Sequence, residues 1–145
     1  MKIISSVFDD GEYIPVQYTC LGKGINPPLT WSQVPVNTKT LALIVDDPDA
    51  PGGVFCHWVL WDIPVAISEV SENSLPLDAV VGVGSSGANQ YMAPCPPTGV
   101  HHYRFKLYAL DKELFLSVNS KQTDLEEAMS GHILAQATLV GLFKK

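Results

Sequence analysis

Four histidines are the natural place to look for chemistry in this 145-residue chain, and three of them flank irregular stretches. His57 follows the string Asp46-Asp47-Pro48-Asp49-Ala50-Pro51-Gly52-Gly53, and His101 and His102 follow Ala93-Pro94-Cys95-Pro96-Pro97-Thr98-Gly99. Imidazole titrates near neutral pH and both donates and accepts hydrogen bonds, so a converging pair can bind an anion, move a proton or hold a metal. The proline loop adds a backbone donor. Between residues 94 and 97 only Cys95 has an N–H, and the prolines hold it outside any ladder. Two imidazoles, a phenol at Tyr103 and one presented N–H make a cavity suited to phosphate or carboxylate.

Taken singly, each feature has a plainer explanation. An inward histidine is usually a satisfied core residue, and an Asp/Pro string is usually a solvated turn. Two other chemistries use the same residues. Cys95 could act as a hydrolase nucleophile with His57 or His101 as base. Asp47, His57 and His101 could hold zinc or iron. No metal-ligand pair spacing, cofactor motif or nucleophile–base–orienter set supports either, so no catalytic residue, metal or cofactor is expected. Cys56 and His57, adjacent on one strand, should point apart.

The elements that position these residues are mostly strands. Leu41–Val45 suits a strand buried on both faces. Cys56–Ile63 is the next, ended by Pro64, with His57 in phase with Val59, Trp61 and Ile63. Residues 82–99 form a long Gly/Ser/Pro loop, a type uncommon in compact domains unless functional. His101–Leu110 alternates cleanly. His101, Tyr103, Phe105, Leu107 and Ala109 share the inward face; His102, Arg104, Lys106 and Tyr108 share the other. His101→Ala should therefore abolish anion binding, and His102→Ala should change it little. Thr123-Asp124-Leu125-Glu126 reads as a capping box opening a short helix that Gly131 closes. The tail, 132–143, fits a strand or a helix by periodicity alone.

Composition bounds the rest. Length and 46% hydrophobic content point to one domain, residues 1–145, with a single core. A formal charge of −6 disfavours nucleic-acid binding. No apolar run is long enough for stable membrane insertion, and the amino terminus does not read as a signal peptide. Three cysteines, with no C-x-x-C, argue against a disulfide framework and for a reducing cytoplasm.

Five segments in order make the sequence resemble the phosphatidylethanolamine-binding protein superfamily, which includes the Raf kinase inhibitor proteins and the plant flowering-time regulators. They are Asn26-Pro27-Pro28-Leu29-Thr30-Trp31; Asp46 to Pro51; His57-Trp58 with Asp62-Ile63-Pro64; Pro94-Cys95-Pro96-Pro97 with Gly99; and His101-His102-Tyr103 with Leu107-Tyr108-Ala109-Leu110. The match spans residues 8–143 and is nearest the short bacterial and archaeal branch. Two departures stand out: His102 replaces a common Arg, and Ala93 a common Gly. The resemblance implies antiparallel sheets in a Greek-key sandwich with one or two short helices, and it makes the tail a strand. It implies an anion site of Asp47, His57, the Cys95 backbone, His101 and Tyr103, rimmed by Pro51, Pro96 and Pro97. The expected protein is a non-enzymatic, cytoplasmic binder of a small anionic ligand or phosphorylated group. A protein partner such as a kinase, and a homodimer, are compatible with it. Two further expectations follow. Ala50-Pro51 should be cis, as the resemblance supports and tight proline turns favour. Affinity should fall as pH rises, because Asp47 should favour charged His57 and His101.

Overall fold

A computed structural model describes residues 1–145. Nine strands form two sheets. The larger contains β2 (Glu12–Tyr13), β4 (Thr40–Asp47), β5 (Phe55–Pro64), β7 (Val80–Val81), β8 (His101–Leu110) and β9 (Ile133–Phe143). Its spatial order is β2-β9-β8-β4-β5-β7. The smaller contains β1 (Lys2–Ile4), β3 (Leu29–Ser32) and β6 (Glu69–Val70), in the order β1-β3-β6. Pairing is antiparallel except for β2 against β9, which is parallel. The mostly-β, two-sheet expectation holds, with one α-helix, α1 (Gln122–Met129), and one 3-10 turn.

The unbroken apolar run of β4 is explained by cover on both faces. Leu41, Leu43 and Val45 join Trp58, Leu60, Phe105 and Leu107 in the core facing the small sheet, where Ile3, Leu29 and Trp31 meet them. Ala42 and Ile44 join Val59, Trp61 and Tyr108 on the opposite face, covered by Leu125 and Met129 of α1. A sheet buried on both faces needs apolar residues at every central position rather than every second one. β9 takes the strand alternative for the tail, with Leu139, Gly141 and Phe143 turned inward.

The helix start differs from the sequence reading by two residues. Lys121, not Thr123, is the residue before the first turn, and the Asp124 carboxylate accepts from its backbone N–H at 2.9 Å. Two overlapping acidic candidates, Asp124 and Glu126, could supply the capping carboxylate, and Asp124 takes that role. Gly131 ends the helix with φ +81, as expected.

Candidate functional site

The strand register brings the expected residues together at one end of the sandwich. A cavity of about 240 Å³ is lined by Asp47, His57, Cys95, His101 and Tyr103, with Pro51, Pro96 and Pro97 also in its lining. His101 is buried and His102 exposed, as period two along β8 requires. The His101 Nδ1–H donates to Asp47 Oδ2 at 2.7 Å, and both side chains are at least nine-tenths buried. His102 pairs instead with Asp49 at the surface, also at 2.7 Å.

His57 reaches the cavity by a route that alternation does not anticipate. Val45 pairs with Trp58, but Asp46 pairs with Cys56, so His57 is an extra residue in a β-bulge. The bulge shifts the phase of β5. Val59 and Trp61 face α1, whereas His57 lies beside Tyr103, ring centroids 5.2 Å apart and nearly perpendicular. The expected company of Val59 and Trp61 is thus corrected, while the inward direction stands. Cys56 does point away from His57, into the α1 side, where burial pushes its thiol up to about 11.

The long loop 82–99 packs back against β5. Met92 N–H donates to the His57 carbonyl at 2.8 Å, and the His57 ring Nδ1 lies 2.7 Å from the Met92 carbonyl oxygen. Burial is the largest influence on His57 and lowers its pKa; the Met92 carbonyl and the charges of Asp47 and Asp46 pull the other way and are outweighed. Asp47 does favour a charged His57, as expected, but desolvation outweighs it, and the net effect favours the neutral ring. The Tyr103 hydroxyl is buried without a protein partner, and burial pushes its pKa upward. The Cys95 N–H donates to no protein acceptor.

Two other expectations are corrected here. Ala50-Pro51 is trans, as is every peptide bond of the chain. The Gly53 N–H donates to the Ala50 carbonyl at 3.1 Å, which places Pro51 second in a β-turn. A trans proline suits that position, and the reversal needs no cis bond. Cys95 is bonded to Cys20 in a disulfide, which the cysteine count argued against. Seventy-five residues separate the two, so no local spacing announces the pair. With its sulfur in that bond, Cys95 has no thiol to act as a nucleophile. No cluster of three His, Cys, Asp or Glu side chains converges to hold a metal ion. Sequence reasoning missed Cys20 and the Met92 carbonyl; neither carries a local signal, because each is brought in by a loop.

Comparisons with known proteins bear on the family and the fold. Residues 4–144 match the family described as phosphatidylethanolamine-binding protein. A UPF0098 protein of Methanothermobacter thermautotrophicus is 46% identical over the whole of this chain and 99% of its own. A Mycobacterium tuberculosis chain carrying the lipoprotein name LppC is 40% identical over 99% of this chain and 72% of its own. Among solved structures, a phosphatidylethanolamine-binding protein homologue from Chlamydia trachomatis superposes with a TM-score of 0.95 at 40% identity, covering 99% of this chain and 97% of that one. Escherichia coli YbcL, described as a member of the mammalian family, gives 0.93 at 29% identity, covering 99% and 98%. With the fold, the five ordered segments and a match over nearly its full length, the chain belongs to the phosphatidylethanolamine-binding protein family.

Proposed function

We propose that this protein is a non-enzymatic binder whose cavity takes a small anionic group: phosphate, a phosphorylated head group or a carboxylate. One observation carries the reading. Two buried imidazoles line one cavity, each with Nδ1 tied to a protein acceptor and with no protein partner at Nε2. The Cys95 amide and the Tyr103 hydroxyl supply two donors without protein acceptors. Of these groups the Tyr103 hydroxyl is the one cut off from solvent; a buried polar group that stays unpaired costs about 1–3 kcal/mol, which favours a ligand that pairs it. Modulation of a kinase or other protein partner through the filled cavity belongs to the same proposal and rests on family membership.

Localisation stays within the proposal. No helix is long and apolar enough to cross a membrane. The argument for a reducing cytoplasm assumed unpaired cysteines, and the Cys20–Cys95 bond removes that premise.

Calorimetric titration with inorganic phosphate tests the site. His101→Ala is expected to weaken binding about 10- to 100-fold, the worth of one charge-assisted hydrogen bond. His102→Ala is expected to leave it within about threefold, because that side chain contacts Asp49 outside the cavity. No binding by the parent protein, of phosphate or of acetate, would refute the reading. Reversed effects of the two substitutions would show that β8 presents the wrong face.

A further inference from the structure

The fixed tautomer of His57 has a consequence for which anion the cavity accepts. The Met92 carbonyl oxygen can only accept a hydrogen bond, so the His57 Nδ1 2.7 Å away carries the hydrogen. A neutral imidazole has one such hydrogen. Its Nε2 is then a lone pair, and no protein donor meets it. Burial keeps the ring in that neutral form. The charged and titratable groups around it reinforce the demand for a donor. Asp47 and Asp46 are carboxylates, His101 already spends its Nδ1–H on Asp47, and Tyr103 presents a single hydroxyl.

A fully ionised oxygen placed against this lone pair meets repulsion, and the ligand that covers the nitrogen leaves it without a donor. An oxygen that still bears a hydrogen donates into it. We propose that His57 makes the cavity selective for oxyanions carrying their own proton, inorganic hydrogen phosphate and phosphomonoester monoanions, against fully ionised oxyanions of the same shape. The inference rests on the anion-binding reading above and narrows it. A phosphodiester, such as a phospholipid head group, has no O–H on phosphorus and falls on the disfavoured side. The Cys95 N–H and the Tyr103 O–H serve the ionised oxygens, and the ligand's P–O–H serves His57. Discrimination of this kind is strong because a site built around one hydrogen bond penalises the analogue that cannot make it.

Methyl phosphate and methyl sulfate separate this proposal from simple charge attraction. The two monoanions share shape and charge and differ by one proton. Near pH ~6 about half of a phosphomonoester remains in the protonated monoanion. Calorimetry there should give methyl phosphate an affinity about 10- to 100-fold above methyl sulfate. Dimethyl phosphate should bind no better than methyl sulfate. His57→Gln, whose amide can turn a donor toward the ligand, should bring methyl phosphate and methyl sulfate within about threefold of each other. Imidazole nitrogen NMR on the unsubstituted protein provides a readout independent of any variant's folding: His57 should show a protonated Nδ1 and an unprotonated Nε2. Binding of inorganic phosphate but not methyl phosphate, with sulfate still refused, supports the proposal with free phosphate as the source. Equal affinity for methyl phosphate and methyl sulfate overturns it and leaves anion binding standing, as does a protonated Nε2. If none of these anions binds, the reading of the cavity falls and the inference falls with it.

Discussion

Asp46→Ala is expected to destabilise the protein by about 3–5 kcal/mol, the usual result of removing one partner from a buried ion pair. The carboxylate is fully buried between the large sheet and α1. Its oxygens receive Arg104 Nε at 2.7 Å and Nη2 at 3.1 Å, Lys106 Nζ at 2.7 Å and Gln122 Nε2 at 3.0 Å. Without Asp46, the Lys106 side chain, 12% exposed, is left as an uncompensated charge. Arg104 is 35% exposed and can turn its guanidinium toward water. Gln122 loses the bond that ties the first turn of α1 to β4. Chemical denaturation of the parent and the variant measures the difference. A loss below about 1 kcal/mol would show that the network behaves as a surface pair. In the double variant Asp46→Leu, Lys106→Leu much of the loss should return, because an apolar pair of similar volume often matches a buried ion pair.

The same carboxylate sets an acid limit on stability. Burial alone would raise the Asp46 pKa, but the hydrogen bonds from Arg104, Lys106 and Gln122 outweigh it and hold it below the ordinary value. A lowered folded-state pKa contributes stability that is fully present above the unfolded value, about 3.9. That contribution disappears as pH falls through the folded value. Asp46→Ala should therefore flatten the stability-against-pH curve below pH ~4.

Loss of the Cys20–Cys95 bond is expected to cost up to about 4 kcal/mol, from the closure entropy of a loop of this length. For a chain of this size that lowers Tm by roughly 10 °C. Calorimetric melts of the Cys20→Ser, Cys95→Ser double variant, and of the parent with and without reductant, read the effect. Equal melting of all the samples would show that the bond adds nothing. The bond joins the segment after the 3-10 turn to the proline loop, where the Cys20 N–H also donates to the Pro94 carbonyl at 3.1 Å. Serine at position 95 preserves the backbone donor, so phosphate affinity in the double variant reports how far the bond, rather than the prolines, holds the loop. Alkylation of the folded, unreduced protein followed by mass spectrometry should find Cys20 and Cys95 unlabelled. Cys56 should react only on unfolding, since it is buried and its thiolate is disfavoured up to about pH 11.

Much of the site is legible in local pattern. Alternation along β8 separates His101 from His102, because side chains on a regular strand must take opposite faces. The proline loop isolates the Cys95 N–H for a reason that is purely covalent. The apolar run of β4 announces burial on both faces, and both are covered. The helix was legible in kind but not in register, since two acidic residues competed for the capping role.

Tertiary structure decided what depends on partners distant in sequence. Period two holds only while a strand is regular, and the bulge at His57 comes from the mismatch between β4 and β5, not from any residue type. The orientation of the His57 ring depends on a carbonyl 35 residues away, at Met92. Cys20 and Cys95 are ordinary lone cysteines until the chain brings their loops together. Lys106 shares the face that alternation assigns to the outside of β8, yet α1 and Asp46 cover it. Ala50-Pro51 lies in a turn that sequence marks clearly, but its isomer follows from the hydrogen bond between Gly53 and Ala50. Local residue types set which faces and donors exist; long-range packing set which of them meet, because the energy of each meeting belongs to a pair and neither sequence neighbourhood contains both members.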